Sequence, residues 1–174
     1  DSIGVESTEE NRKNYRNMLF TTEGVNKYIS GVILFDETIR QQSPNGVPMV
    51  EVLNEAGMIP GIKVDKGAKA LANTSSETVT EGLDGLRERC QEYVSLGAKF
   101  AKWRAVIKIG SNTPSDLCLA TNVHALARYA ALCQETGLVP IVEPEVLMDG
   151  PHDIDQCESI TENTLKALYH ELHR

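Results

Sequence analysis

The sequence predicts an α/β protein built on parallel strands, either a doubly wound sheet or part of a (β/α)8 barrel. Three observations carry that reading. Four short apolar runs begin near residues 30, 58, 98 and 138, and separations of roughly 28 to 40 residues suit βα units. The stretches between them show helix starts, helical periodicity and glycine stops. Three of the four runs carry charge at their ends: Lys63 and Asp65, Lys102 and Arg104, Glu143 and Glu145. The C-terminal mouth of parallel strands is where such proteins place their sites.

Taken in order, Ser7-Thr8-Glu9-Glu10 is a helix start, a hydroxyl cap followed by acids that favour the positive helix end. That helix runs to about Phe20, with Tyr15, Met18 and Leu19 on its apolar face; pattern alone reads Arg12 and Lys13 as solvated. Ser30 to Phe35 is a continuous apolar run, as expected of a strand covered on both sides. Pro44-Asn45-Gly46 is a turn, and Pro48 opens a short helix that stops at Gly57. Met58 to Asp65 is the second strand, and Lys63 and Asp65 share a face by the period of two. Lys66 to Thr80 is a long polar connection, expected to be mobile or functional. Glu81 to Leu96 reads as an amphipathic helix stopped by Gly97, with Leu83, Leu86, Cys90, Tyr93 and Val94 on one side. The third strand begins at Phe100 and continues to about Ile109. Thr113-Pro114-Ser115-Asp116 starts a helix that buries Val123, Leu126, Ala127, Ala130 and Ala131 and ends near Gly137. Leu138 to Glu145 is the fourth strand. A final helix begins at Asp153 or Asp155, with Ile160, Leu165, Leu168 and Leu172 inward.

A chain of 174 residues, 41% hydrophobic and 24% charged, is long enough for one domain with a substantial core. A net charge of −8 argues against a general binder of nucleic acid or anionic membrane. No run approaches the roughly 18 to 20 apolar residues of a membrane span, and the polar, acidic start predicts no signal or transit peptide. The first residue is not Met, and the sequence is expected to start inside a longer one. Cys90, Cys118, Cys133 and Cys157 fall in helical stretches without CxxC spacing and read as free thiols in a reducing cytosol. His170 and His173 lie three apart on a helix but have no third ligand in view, so they read as surface residues.

The run Phe100-Ala-Lys-Trp-Arg104 is the most informative stretch. Lys102 and Arg104 share one face, while Ala101, Trp103 and Ala105 share the other. Two like charges side by side in a buried strand are costly unless anionic groups meet them. Lys63, Lys102 and Arg104 suit an anionic small molecule, a phosphate ester or carboxylate. A lysine crowded by cations becomes a candidate amine nucleophile or proton shuttle, and Glu143 and Glu145 are candidate general acid and base. Together these point to carbonyl chemistry on a phosphosugar. The competing reading is an internal salt-bridge network that needs no substrate. No GxGxxG or GxxxxGK[ST] is present, which removes support for nucleotide-binding variants.

The segments Gly31-Val-Ile-Leu-Phe, Gly61-Ile-Lys-Val-Asp-Lys-Gly67, Gly82-Leu-Asp-Gly-Leu86, Phe100-Ala-Lys-Trp-Arg104 and Val139-Pro-Ile-Val-Glu-Pro-Glu145 resemble the class I fructose-bisphosphate aldolases, in register from about Asp1 to Arg174. The resemblance implies a TIM barrel of which this chain covers about four central-to-N-terminal βα units, residues 1–174 being part of a single catalytic domain. It further implies reversible cleavage of fructose 1,6-bisphosphate through a lysine Schiff base, no metal or other cofactor, a cytoplasmic location and a homotetramer. By motif, Glu143 matches the acid/base of the Schiff-base chemistry, Lys102 the lysine beside the substrate, Arg104 its companion and Glu145 the neighbouring acid. Lys63 matches a lysine at the mouth with Asp65 close by, and Arg12 matches a phosphate-binding arginine. The family's LAADES-like strand, which supplies an Asp, and its LLKPNMV-like strand, which carries the Schiff-base lysine, have no counterpart in the sequence. The segment alone is therefore expected to be inactive, and a non-catalytic scaffold or phosphate-binding module is the alternative.

Overall fold

The computed structural model describes residues 3–174. Four strands, β1 (Gly31–Leu34), β2 (Ile59–Lys63), β5 (Phe100–Ile107) and β6 (Val139–Val146), form one parallel sheet in the order β1-β2-β5-β6. This order follows the chain with no reversal. With right-handed crossovers, each connecting helix then lands on the same face. α3 (Met49–Glu55) packs on β2, α5 (Asp116–Glu135) on β5 and β6, and α6 (Ile154–Leu172) on β6. The sheet is singly wound, which selects a barrel sector over the doubly wound alternative.

The helix-covered face holds the core. Leu34, Ile62, Trp103, Leu126, Tyr129 and Leu138 are buried there, and Trp103 and Tyr129 stack with ring centroids 5.5 Å apart. The helix-free face is open. Ile33, Ile59, Val139 and Ile141 lie on it and are exposed, which corrects the expectation of strands covered on both sides. These positions would face the interior of a closed barrel, so their apolar character says nothing about a second helix layer.

The helices start where cap chemistry places them. Thr8 caps α1 (Glu9–Phe20), Ser115 caps α5 and Asp153 caps α6, each accepting the N–H three residues on. Gly57, Gly97 and Gly137 follow α3, α4 (Leu86–Ser95) and α5 with positive φ. Four faces differ from expectation: on α4 Val94 is exposed, on α5 Ala131 is exposed, and α1 and α6 differ more widely. On α1, Tyr15, Met18 and Leu19 are exposed and Phe20 alone is buried. On α6, Thr164 and Leu168 are buried, whereas Leu165 and Leu172 point outward. A short helix not foreseen, α2 (Asp36–Arg40), follows β1 directly.

The long polar connection is also structured. β3 (Ala68–Ala70) and β4 (Thr78–Thr80) form an antiparallel hairpin. Asn122 of α5 fastens it, accepting the Thr80 N–H at 3.2 Å and donating to the Thr78 carbonyl at 2.9 Å. The helix expected from Glu81 starts only at Leu86, because the segment first passes close over the end of β2. A Cβ on Gly82 (φ +133) would lie 3.0 Å from Lys66 N, so a side chain there would clash.

At the outer edge, Val139 and Leu147 direct their N–H groups to the carbonyls of Lys99 and Ile107 on the β5 side. The two-residue period then assigns Pro140 and Pro144 to positions whose amides would point away from β5. That is where proline is tolerated in a strand.

Candidate active site

The register of β2, β5 and β6 stacks the helix-free face in levels. The lowest is apolar, Ile33–Gly61–Phe100–Val139. Phe100 lies across Gly61, where a Cβ would come within 2.3 Å of its ring. Above this floor Lys63, Lys102 and Ile141 stand side by side, then Arg104 and Glu143, then Val106 and Glu145. The period of two keeps all of these on one face, and the alternating burial along β5 agrees.

Each cation meets a carboxylate. Lys102 Nζ lies 3.2 Å from Glu143, and Arg104 pairs with Glu145. Both are diagonal contacts, each cation reaching one strand period up the neighbouring strand. Lys63 Nζ donates to Asp65 at 2.6 Å. The crowding of cations is thus relieved by alternating charge on a face that is open to solvent. The Lys102–Glu143 and Arg104–Glu145 pairs are part-exposed and contribute about 0–1 kcal/mol each, so an incoming anion can compete for these two cations at little cost.

The two glutamates differ. Glu145 is held below the usual carboxylate range by the hydrogen bond from Arg104, with the Lys102 charge adding to the effect, and Arg104 is raised in turn by the same bond. Glu145 is therefore an ionised partner at neutral pH and a poor proton donor. Glu143 meets the Lys102 ammonium alone among the described residues.

Asp65 and Arg12 do not stand with the row as free ligands. The Asp65 side chain is 2% exposed, and its oxygens accept from Lys63 Nζ, Gly67 N and Arg104 N. Arg12 is spread over Glu37 with two hydrogen bonds, at 3.1 and 2.6 Å, and donates to the Ser7 carbonyl. Arg16 joins the same carboxylate, and the hydrogen bonds from Arg12 and Arg16 hold Glu37 down to about 2. Glu37 opens α2 at the exit of β1, so this cluster borders the sheet end without a described contact to the β5–β6 row.

Sequence reasoning missed Arg89, whose guanidinium donates to the carbonyls of Val64 and Gly82, and Thr80, whose hydroxyl donates to the Arg104 carbonyl at 2.8 Å. A lone Arg in an amphipathic helix and a Thr in a polar stretch carry no pattern that marks them. Beside Lys63, a cleft of about 480 Å³ is lined by Phe35, Asp36, Arg40, Lys63, Arg89 and Tyr93 among others. Arg40 is matched there by Asp36 and Glu92, and Tyr93 donates to Asp36. Among the described residues no His/Cys/Asp/Glu group has the arrangement of a metal site, and no helix is long and apolar enough to cross a membrane.

A singly wound parallel sheet with a charged face at its C-terminal strand ends is a sector of a (β/α)8 barrel. The profile of the family described as fructose-bisphosphate aldolase class-I matches residues 1–174, and the chain belongs to that family. It is 61% identical over 171 residues to a probable fructose-bisphosphate aldolase class 1 of Xanthomonas campestris pv. campestris, covering 98% of this chain and 51% of that protein. It is 57% identical over 171 residues to fructose-bisphosphate aldolase 4, cytosolic, of Arabidopsis thaliana, covering 98% and 44%. Among solved structures, the fructose-bisphosphate aldolase of Plasmodium falciparum, crystallised in complex with TRAP and a small-molecule inhibitor, superposes with a TM-score of 0.96 at 50% identity. That match covers 99% of this chain and 50% of the other. The chain thus spans about half the length of the relatives it matches.

Proposed function

We propose that the intact protein is a class I fructose-bisphosphate aldolase. It would cleave fructose 1,6-bisphosphate reversibly to dihydroxyacetone phosphate and glyceraldehyde 3-phosphate through a lysine Schiff base, as a cytoplasmic homotetramer. Residues 1–174 contribute part of its single catalytic domain. The observation that carries this reading is the ladder of alternating charges on β2, β5 and β6, facing away from the helices at the strand ends. A cationic row on an open face suits a bisphosphate, and Lys102 and Arg104 are paired with carboxylates that are themselves part-exposed, so an anion can displace them at little cost.

Within that reading, Lys102 lies beside the substrate and stabilises charge that develops on its oxygens. Glu143 moves the proton: protonated, it delivers one to the hydroxyl that leaves when the amine and the keto group condense, and it recovers one when water returns. Glu145 keeps Arg104 oriented as a fixed cation, because an ionised carboxylate bound to a guanidinium neither gives nor takes a proton readily. Lys63 and Arg12 are assigned to the phosphate groups, Arg12 by exchanging Glu37 for phosphate. Asp65 belongs to the site through Lys63.

A coupled assay of fructose 1,6-bisphosphate cleavage by the intact protein, with and without EDTA, tests the reading. EDTA-insensitive cleavage is expected. A folded protein that binds the sugar bisphosphate and does not cleave it would establish the phosphate-binding module instead.

A further inference from the structure

We propose that Asp65 is the positioning residue of the charged face: it ties the Lys63 ammonium to the Arg104 main chain at the point where β2 and β5 part, and touches no ligand itself. The inference rests on the function proposed above and names what holds that site in shape.

The observation is a ladder that stops in a particular way. In a regular parallel pair, the residue whose N–H bonds the Lys102 carbonyl returns its own carbonyl to the N–H of residue 104. Val64 makes the first bond, N–H to the Lys102 carbonyl at 3.1 Å. Its carbonyl does not make the second. It turns to Arg89 Nη1 at 2.8 Å, and the Arg104 N–H is collected by Asp65 Oδ2 at 3.3 Å. One step further, the Arg104 carbonyl is taken by the Thr80 hydroxyl. The strands separate just past Lys63, and side chains of α4, β4 and the β2 exit take up the groups left without a rung.

Asp65 is the member of this set that also reaches the charged row. Its Oδ1 accepts from Lys63 Nζ at 2.6 Å and from the Gly67 N–H at 3.0 Å. A carboxylate so enclosed is costly to leave unmatched, and donors from three directions leave it one arrangement. Lys63 and Lys102 are register partners on adjoining strands, where two free ammonium groups would repel. Asp65 draws Lys63 toward the exit of its own strand, while Glu143 draws Lys102 toward β6. The gap between the two ammonium groups is thereby set from the strand exit, by a carboxylate that is itself 2% exposed.

The test uses the intact protein and the variants Asp65→Asn, Lys63→Met and their combination. Asparagine offers one acceptor oxygen where the carboxylate offers two. At least one of the Arg104 and Gly67 amides should therefore exchange hydrogen about tenfold faster or more. The KM for fructose 1,6-bisphosphate should rise about tenfold with kcat within about threefold, as when ground-state binding is lost. In the Lys63→Met background, Asp65→Asn should add less than about threefold to KM, because its effect runs through Lys63. Unchanged exchange of both amides would overturn the proposal, and so would a full, independent effect of Asp65→Asn without Lys63. If Asp65→Asn does not fold, Asp65→Glu decides: one added methylene should raise KM about threefold or more, and a KM equal to that of the unmodified protein would overturn the idea. Absence of cleavage by the unmodified protein would defeat the functional reading, leaving amide exchange alone to decide the role of Asp65.

Discussion

Glu143→Gln separates catalysis from stability. The substitution keeps size and removes one charge, so the Lys102 ammonium, 3.2 Å away, loses its carboxylate. Lys102 and Glu143 retain 19% and 34% side-chain exposure, and water can replace the lost partner. A pair of this kind contributes about 0–1 kcal/mol to stability, so the melting temperature should move by no more than a few degrees. Proton transfer by a placed side chain contributes on the order of 10²- to 10⁴-fold in rate, or roughly 3–5 kcal/mol in the barrier. The same change should therefore leave the fold intact and reduce kcat by at least about a hundredfold. A coupled cleavage assay on the intact protein, paired with a thermal melt, measures both numbers. A stable variant whose kcat stays within about threefold of the unmodified protein would refute the assignment of Glu143 as the proton-moving group.

Other residues give independent checks. Trp103→Ala removes a wholly buried ring stacked on Tyr129 and should destabilise by about 3–5 kcal/mol, read from the denaturant midpoint. Asn122→Ala strips the Thr80 N–H of its acceptor at a site 1% exposed; about 1–3 kcal/mol should be lost, with faster exchange of the Thr80 amide. Glu37 titrates at about 2 in the fold against 4.5 when unperturbed. A depressed folded value means that its contribution is present above about pH 4.5 and is lost as pH falls from there toward 2. Glu37→Gln should then lose stability at neutral pH and show a shallower acid decline in that window, measured by urea midpoints across the range. Cys90, Cys118 and Cys133 are buried, and burial pushes the Cys118 thiol up to about 11. A thiol reagent on the folded chain should label Cys157 first and the other three only on unfolding.

The chemistry-bearing strands were legible because strand period is unforgiving. Lys102 and Arg104, two residues apart, had to share a face, and the structure places that face away from Trp103. Helix starts at Thr8, Ser115 and Asp153 were readable because a cap is a local event. Coverage was not readable. Ile33 and Ile141 are as apolar as Leu34 and Ile62, and only the arrangement of helices on one face makes the first pair exposed and the second buried. The β3–β4 hairpin was hidden because three-residue strands lie below any periodicity, and Asn122, forty-two residues on in sequence from Thr80, holds it in place. Asp65 was read as a mouth residue from its spacing to Lys63. Its inward role depends on where β2 leaves β5, which no spacing within one strand records. Arg12 looked solvated by pattern and phosphate-binding by resemblance, and its partner Glu37 lies twenty-five residues away.

Borohydride trapping addresses the central claim most directly. The intact protein, incubated with dihydroxyacetone phosphate and reduced, should gain the mass of one reduced adduct per chain and lose cleavage activity irreversibly. The modified lysine should be neither Lys63 nor Lys102, since both are held by carboxylates as charged groups of the row. A folded protein that forms no adduct and cleaves no fructose 1,6-bisphosphate would contradict the account.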